Sequence, residues 1–118
     1  GLLDDIYFAY WEETDWCTRA RRAGYSIRTC PDALIMHRGG ASLDPASRLY
    51  LMVRNCVTFM RRHASKRNFV TFLPTFVFWT VPVWSARAAR ADPVGTARAI
   101  IGAFRWHFAR RRLPPFQP

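Results

Sequence analysis

Nineteen consecutive residues, Asn68 to Ala86, carry no formal charge, and six of them are aromatic: Phe69, Phe72, Phe76, Phe78, Trp79 and Trp84. A run of this kind must leave water, in a core, against a partner or in lipid. At about 1.5 Å rise per residue a helix over this span would roughly cross a bilayer core. Pro74 and Pro82 argue against one straight helix, because proline removes a hydrogen bond and its ring clashes with the preceding turn. Thr71, Thr75, Thr80 and Ser85 also dilute the hydrophobicity. The expectation is a kinked or re-entrant segment in the membrane interface. A full span and a buried pair of soluble helices are the alternatives.

The charges divide the chain. Residues 1–44 hold seven of the eight acids and five of the eighteen bases, a net charge of −2. Residues 45–118 hold thirteen bases against the single acid Asp92, a net charge of +12. The two halves must face different surroundings. An acidic front suits a metal or a hydroxyl substrate; a basic, aromatic rear suits anionic lipid, nucleic acid or a phosphorylated ligand. Half of the 118 residues are apolar, which excludes disorder throughout. Cys17, Cys30 and Cys56 form no C-x-x-C pair, which argues against structural zinc and for free thiols in a reducing cytosol.

Periodicity sets out the elements. Glu12–Ala23 reads as a helix, with acids in its first turn, Arg19, Arg21 and Arg22 in its last, and Gly24 as the stop. Trp16, Ala20 and Ala23 mark its apolar stripe. Tyr25–Thr29 alternates like a half-buried strand, Pro31-Asp32 makes a turn, and Ala33–Met36 reads as a second, more buried strand. Arg38–Ser42 is a glycine-containing loop. Ser47–His63 repeats Leu49, Met52, Val53, Cys56, Phe59 and Met60 at helical spacing. Asp92-Pro93 opens a last helix with a stripe of Val94, Ala97, Ile101, Phe104 and Phe108.

Two groups of residues can carry chemistry. Glu12, Glu13 and Asp15 sit at a helix start among Tyr10, Trp11 and Trp16. They can simply offset the helix dipole, or one can stay ionised and take a proton from a hydroxyl beside an aromatic sugar floor. His37 ends a strand before Gly39-Gly40. It can be a hydrogen-bonded structural residue, or it can face a ligand under a mobile glycine loop.

The run from Tyr7 through Trp11-Glu12-Glu13-Thr14-Asp15, Arg19 and Gly24-Tyr25 resembles the second half of family 2 glycosyltransferases with the GT-A fold. The resemblance continues through Pro31, Ala33–Met36, His37-Arg38-Gly39-Gly40-Ala41-Ser42 and the Arg54-Asn55 helix, over about residues 1–63. It is nearest to the bacterial branch that transfers rhamnose and related sugars to cell-surface glycans. It implies an α/β fold: the C-terminal part of a Rossmann-like GT-A domain (helix, two short strands, loop), followed by a mainly helical basic region. Residues 1–63 would be the acceptor-side half and residues 64–118 an aromatic, Arg-rich, membrane-associating tail.

The resemblance also implies roles. Glu13 stands at the position of the catalytic base, where the family usually has Asp. Glu12 and Asp15 would orient the acceptor or the helix start, and Trp11 would contact the sugar. His37 stands where some members ligate Mg²⁺ or Mn²⁺ beside the D-x-D aspartates, and Arg38 would add charge near the leaving diphosphate. The expected partners are a nucleotide-sugar, a glycan or lipid-linked acceptor and the anionic cytoplasmic face of the membrane. There is no D-x-D and no nucleotide-binding half here, so the expectation is a C-terminal fragment inactive alone. The alternatives from other classes are a basic nucleic-acid-binding module, against which no binding motif appears, and a noncatalytic membrane-interaction module.

Overall fold

The computed structural model describes residues 2–36 and 43–109. Among these, all regular structure is helical: α1 (Glu12–Arg22), α2 (Pro45–His63), α3 (Lys66–Thr75), a π-helical turn (Phe76–Thr80), α4 (Val81–Ala91) and α5 (Pro93–Ala109). The helices α2, α4 and α5 pack on one another. Leu49, Val53, Cys56 and Val57 of α2 meet Phe76, Val81 and Ala103 in the core.

The expected α/β fold is therefore overturned. Among the described residues there is no strand, and the runs Tyr25–Thr29 and Ala33–Met36 form no regular structure. A strand requires a neighbour for its backbone groups, and α1 and α2 offer none. Leu34, Ile35 and Met36 are 90%, 86% and 103% exposed, so the reading of a buried second strand fails with it. The turn between the two runs does form, with Ala33 N–H donating to Cys30 O at 3.2 Å.

The helix boundaries follow local chemistry. Asp44 accepts from the N–H groups of Ala46 and Ser47, both at 3.0 Å, and Pro45 occupies the first turn of α2. Ser65 caps α3 through Asn68 N–H. Gly24 adopts φ 90° just past α1, a left-handed stop that suits glycine. Asp92 ends α4 and begins α5, where its carboxylate accepts from Gly95 N–H at 2.8 Å.

The uncharged run forms the middle of one continuous helical rod, Lys66–Ala91, long and apolar enough to cross a membrane by length and composition. Its prolines do not break the helix, since the junction residues Thr75, Phe76, Thr80 and Val81 all keep right-handed helical backbone angles. Phe69, Phe72, Phe76, Val81, Trp84 and Ala88 face the core. Their spacing is three, four, five, three and four. An α-helix keeps a face in steps of three and four; the step of five needs a π turn. Val81 N–H supplies the wide bond, to Phe76 O. Pro82 follows at once, so the ladder widens where proline already removes a donor.

Two expected apolar stripes lie mostly on the exposed side. In α5 the buried residues are Thr96, Ala99 and Ala103, whereas Val94, Ala97, Ile101 and Phe108 of the expected stripe are exposed and only its Phe104 packs on the core. Small side chains let α5 approach α2 closely: a Cβ at Gly102 would lie 3.5 Å from the Tyr50 ring. In α1 the buried residue is Asp15, and Trp16 is 41% exposed.

Phe76 is 1% exposed, stacks on Phe72 at 4.8 Å and meets Trp84 edge-on at 5.9 Å. Phe76→Ala is expected to cost about 3–5 kcal/mol. The check is a urea titration in which the midpoint falls and the slope is unchanged. A loss below about 1 kcal/mol would show that the π turn does not seat its aromatic anchor.

Candidate active site

The segment before α1 is a turn under backbone strain. Phe8, Tyr10 and Trp11 have φ of 61°, 65° and 73°, a left-handed region that bulky L-residues avoid. Each such residue costs about 1–2 kcal/mol. The compensation comes from α2. Arg54 Nη2 donates to the carbonyls of Ile6 (2.7 Å) and Tyr7 (2.9 Å). Asn55 Nδ2 donates to those of Tyr7 (2.8 Å), Ala9 (2.7 Å) and Tyr10 (2.9 Å). The Asn55 amide shares two N–H groups among its three carbonyls, and with the two from Arg54 Nη2 these four donor hydrogens, at about 1 kcal/mol net each, offset the strain. Arg54 Nε also bonds Asn55 Oδ1 at 2.7 Å, which fixes which end of the amide faces the turn.

A second set of contacts ties the turn to the end of α2. The Tyr7 side chain is fully buried, with its hydroxyl donating to Asp15 Oδ1 at 3.1 Å. Asp15 is also fully buried and accepts from Arg19 Nε (2.8 Å) and His63 Nε2 (2.7 Å). His63 Nδ1 lies 2.7 Å from Arg22 Nη1. A guanidinium has donors only, so Nδ1 accepts and Nε2 carries the proton given to Asp15. Burial pulls the Asp15 carboxyl upward, but the bonds from His63, Arg19 and Tyr7 outweigh it and hold it below the usual range. Burial and the Asp15 charge push the Tyr7 phenol well above its ordinary value. Beside them, Arg62 Nη1 pairs with the buried Asp4 carboxylate at 2.7 Å and lies over the Tyr7 ring.

The expected site residues separate by environment. Glu13 is exposed on the first turn of α1. Glu12 is partly buried, and its Oε2 is shielded from solvent with no hydrogen-bond donor. Glu12 also lines a cleft of about 340 Å³ with Leu3, Asp4, Asp5 and Phe8. Asp15 points inward to His63. Trp11 packs on the core at 5.3 Å from the Phe59 ring. His37 and Arg38 lie outside the described residues. Spacing alone missed His63 as the partner of Asp15, because the two are 48 positions apart and His63 looks like one more base at a helix end.

Divalent metal was expected at His37. Among the described residues, no three His, Cys, Asp or Glu side chains converge as ligands. The closest carboxylate–imidazole pair, Asp15 with His63, is already engaged by Tyr7, Arg19 and Arg22. The described donors form no metal site among themselves.

A parallel relay lies on the other side of α2. Arg61 Nη1 approaches His107 Nδ1 at 3.0 Å, and His107 Nε2 donates to Arg54 O at 2.9 Å. Burial, aided by the Arg61 and Arg54 charges, pushes the His107 imidazole down to about 4. The unfolded chain would therefore take up this proton from pH 6.5 downward while the folded chain does not until about pH 4. Stability is expected to fall over that window as pH drops, by on the order of 1–2 kcal/mol after allowance for partial exposure. Asp15, held low in the fold, contributes a further loss at lower pH as it protonates. Denaturation midpoints measured against pH check this, and His107→Gln should flatten the slope between pH 6.5 and 4.

Removing the turn's donor tests its clamp. Asn55→Ala leaves the carbonyls of Tyr7, Ala9 and Tyr10 without this donor, and is expected to cost roughly 3 kcal/mol. Faster amide exchange confined to residues 6–11 would accompany it, and unchanged exchange there would rule out the clamp.

No protein-family model, curated protein or solved structure matches the chain.

Proposed function

We propose that the chain is the acceptor-side, C-terminal part of an inverting glycosyltransferase. It would transfer a sugar from a nucleotide-sugar to a hydroxyl of a cell-surface glycan or lipid-linked acceptor. The observation that carries this reading is the placement of Glu13. Its residue is exposed in the first turn of α1, at the helix's positive end, just after the strained turn that Arg54 and Asn55 hold. Strain of this kind, held by the N–H groups of one guanidinium and one amide, is a feature of sites that fix a reacting group.

The chemistry follows from that placement. Glu13 accepts the acceptor's hydroxyl proton as the oxygen attacks the anomeric carbon. The bond from that carbon to the nucleoside diphosphate breaks on the opposite face, so the configuration inverts. Glu12 lines the neighbouring cleft, where its carboxylate suits a second hydroxyl of the acceptor. Asp15 acts behind them as a positioning residue, fixing α1 to His63 and Tyr7. The donor-binding half would be supplied by sequence outside these 118 residues. The irregular segment Tyr25–Met36 supports that view, since its exposed Tyr25, Ile27, Leu34, Ile35 and Met36 suit contact with another unit.

Glu13→Gln, made in the protein that carries this segment with its donor half, is expected to lower kcat by about 10²–10⁴-fold. Nucleotide-sugar affinity should stay unchanged. Near-normal turnover would remove Glu13 from the role of base, and lost donor affinity would assign it to binding instead.

A further inference from the structure

The Lys66–Ala91 rod has two faces of opposite kind. The inner face is committed to the protein: Phe72, Phe76, Val81, Trp84 and Ala88 pack toward α2 and α5. The outer face exposes Val70 (65%), Phe78 (81%), Trp79 (70%) and Val83 (57%), with Pro74 and Pro82 also exposed. The π turn is what keeps this division along the whole rod, because it absorbs the residue that would otherwise rotate α4 by about 100° relative to α3.

Charge brackets the apolar face. Lys66 and Arg67 stand at its start and Arg87 and Arg90 near its end, all exposed. No acid occurs between Asp44 and Asp92. A basic fringe around exposed valine, phenylalanine and tryptophan is complementary to an anionic lipid surface, in both its charge and its apolar interior. Duplex nucleic acid is matched by the charge alone and leaves the apolar face in water.

The end of the rod adds a binding feature. Arg87 also lines a groove of about 530 Å³ between α2 and α4, with Arg48, Leu49, Met52 and Trp84. Two guanidinium-bearing side chains over an aromatic and aliphatic floor suit a phosphate that carries a hydrocarbon chain.

We infer that the outer face of the Lys66–Ala91 rod docks in the plane of an anionic bilayer, with Arg48 and Arg87 gripping a lipid phosphate in the groove at its end. The rod lies flat because its inner face is held against α2, which carries Arg48, Arg54 and the buried Asn55. Turning it to cross the membrane would strip it from that core or drag these polar groups into hydrocarbon. This docking does not depend on the sugar-transfer reading.

The full chain is tested by sedimentation with phosphatidylcholine vesicles, with and without phosphatidylglycerol. Retention is expected on the anionic vesicles alone. The pair Phe78→Ser and Trp79→Ser should weaken it about tenfold. Circular dichroism should not change, because both side chains point away from the core. Arg87→Gln alone, an exposed substitution, should weaken it about fivefold. Release by an alkaline carbonate wash is expected for a rod lying flat, and resistance to that wash would overturn the in-plane orientation. Equal retention on neutral vesicles, or insensitivity to both sets of substitutions, would overturn the docking. Indifference to vesicles with retention by duplex DNA would overturn it in favour of the nucleic-acid reading.

Discussion

The hydrogen bonds from Arg54 and Asn55 to the turn before α1 are the contacts on which the candidate site depends. Three large residues with positive φ do not hold themselves in place. They stay because one guanidinium and one amide, neighbours on α2, collect the carbonyls that the turn leaves without intrahelical partners. Asn55 is fully buried and therefore must be satisfied; the turn needs donors and therefore must be covered. Each solves the other's problem. Glu12 and Glu13 are aimed by this exchange, although neither takes part in it.

The buried charges of the front half work on the same logic. Asp15 and Asp4 are both removed from water, and each is met by basic groups from α1 or α2. Such pairs add little net stability over apolar packing, but losing one member strands the other. Their effect is specificity. They dock α1 against the end of α2 in one arrangement, through Tyr7, Asp15, His63 and Arg22 in series. The acidic and basic halves of the sequence, which look like separate surfaces in a charge count, are stitched together here.

Much of the helical content was legible. The Asp92-Pro93 start, the Gly24 stop and the spacing within α2 carry their own local physics, whereas the Asp44-Pro45 start of α2 was placed two residues late, at Ser47. The strands were not, because alternation in Tyr25–Thr29 records a tendency, and pairing is a property of the surroundings. The stripe of α5 was misread because close approach selects Ala99 and Ala103 over larger neighbours, a criterion invisible in hydrophobicity. The π turn was not legible, because Phe76, Val77, Phe78, Trp79 and Val81 are all apolar and only burial picks out the step of five from Phe76 to Val81. At the site, Glu12, Glu13 and Asp15 stood out as acids at a helix start, but only burial separates the inward Asp15 from the outward Glu13.

The π turn has a consequence for how this segment can be exchanged or trimmed. Its extra residue acts as a phase corrector between two helical halves that would otherwise be out of step. Shortening Phe76–Thr80 by one position would restore regular geometry and still be wrong. The downstream half would swing by about a quarter of a circle, sending Trp84 outward and carrying Arg87 off the rim it shares with Arg48. In this rod the irregular turn is what allows a straight face.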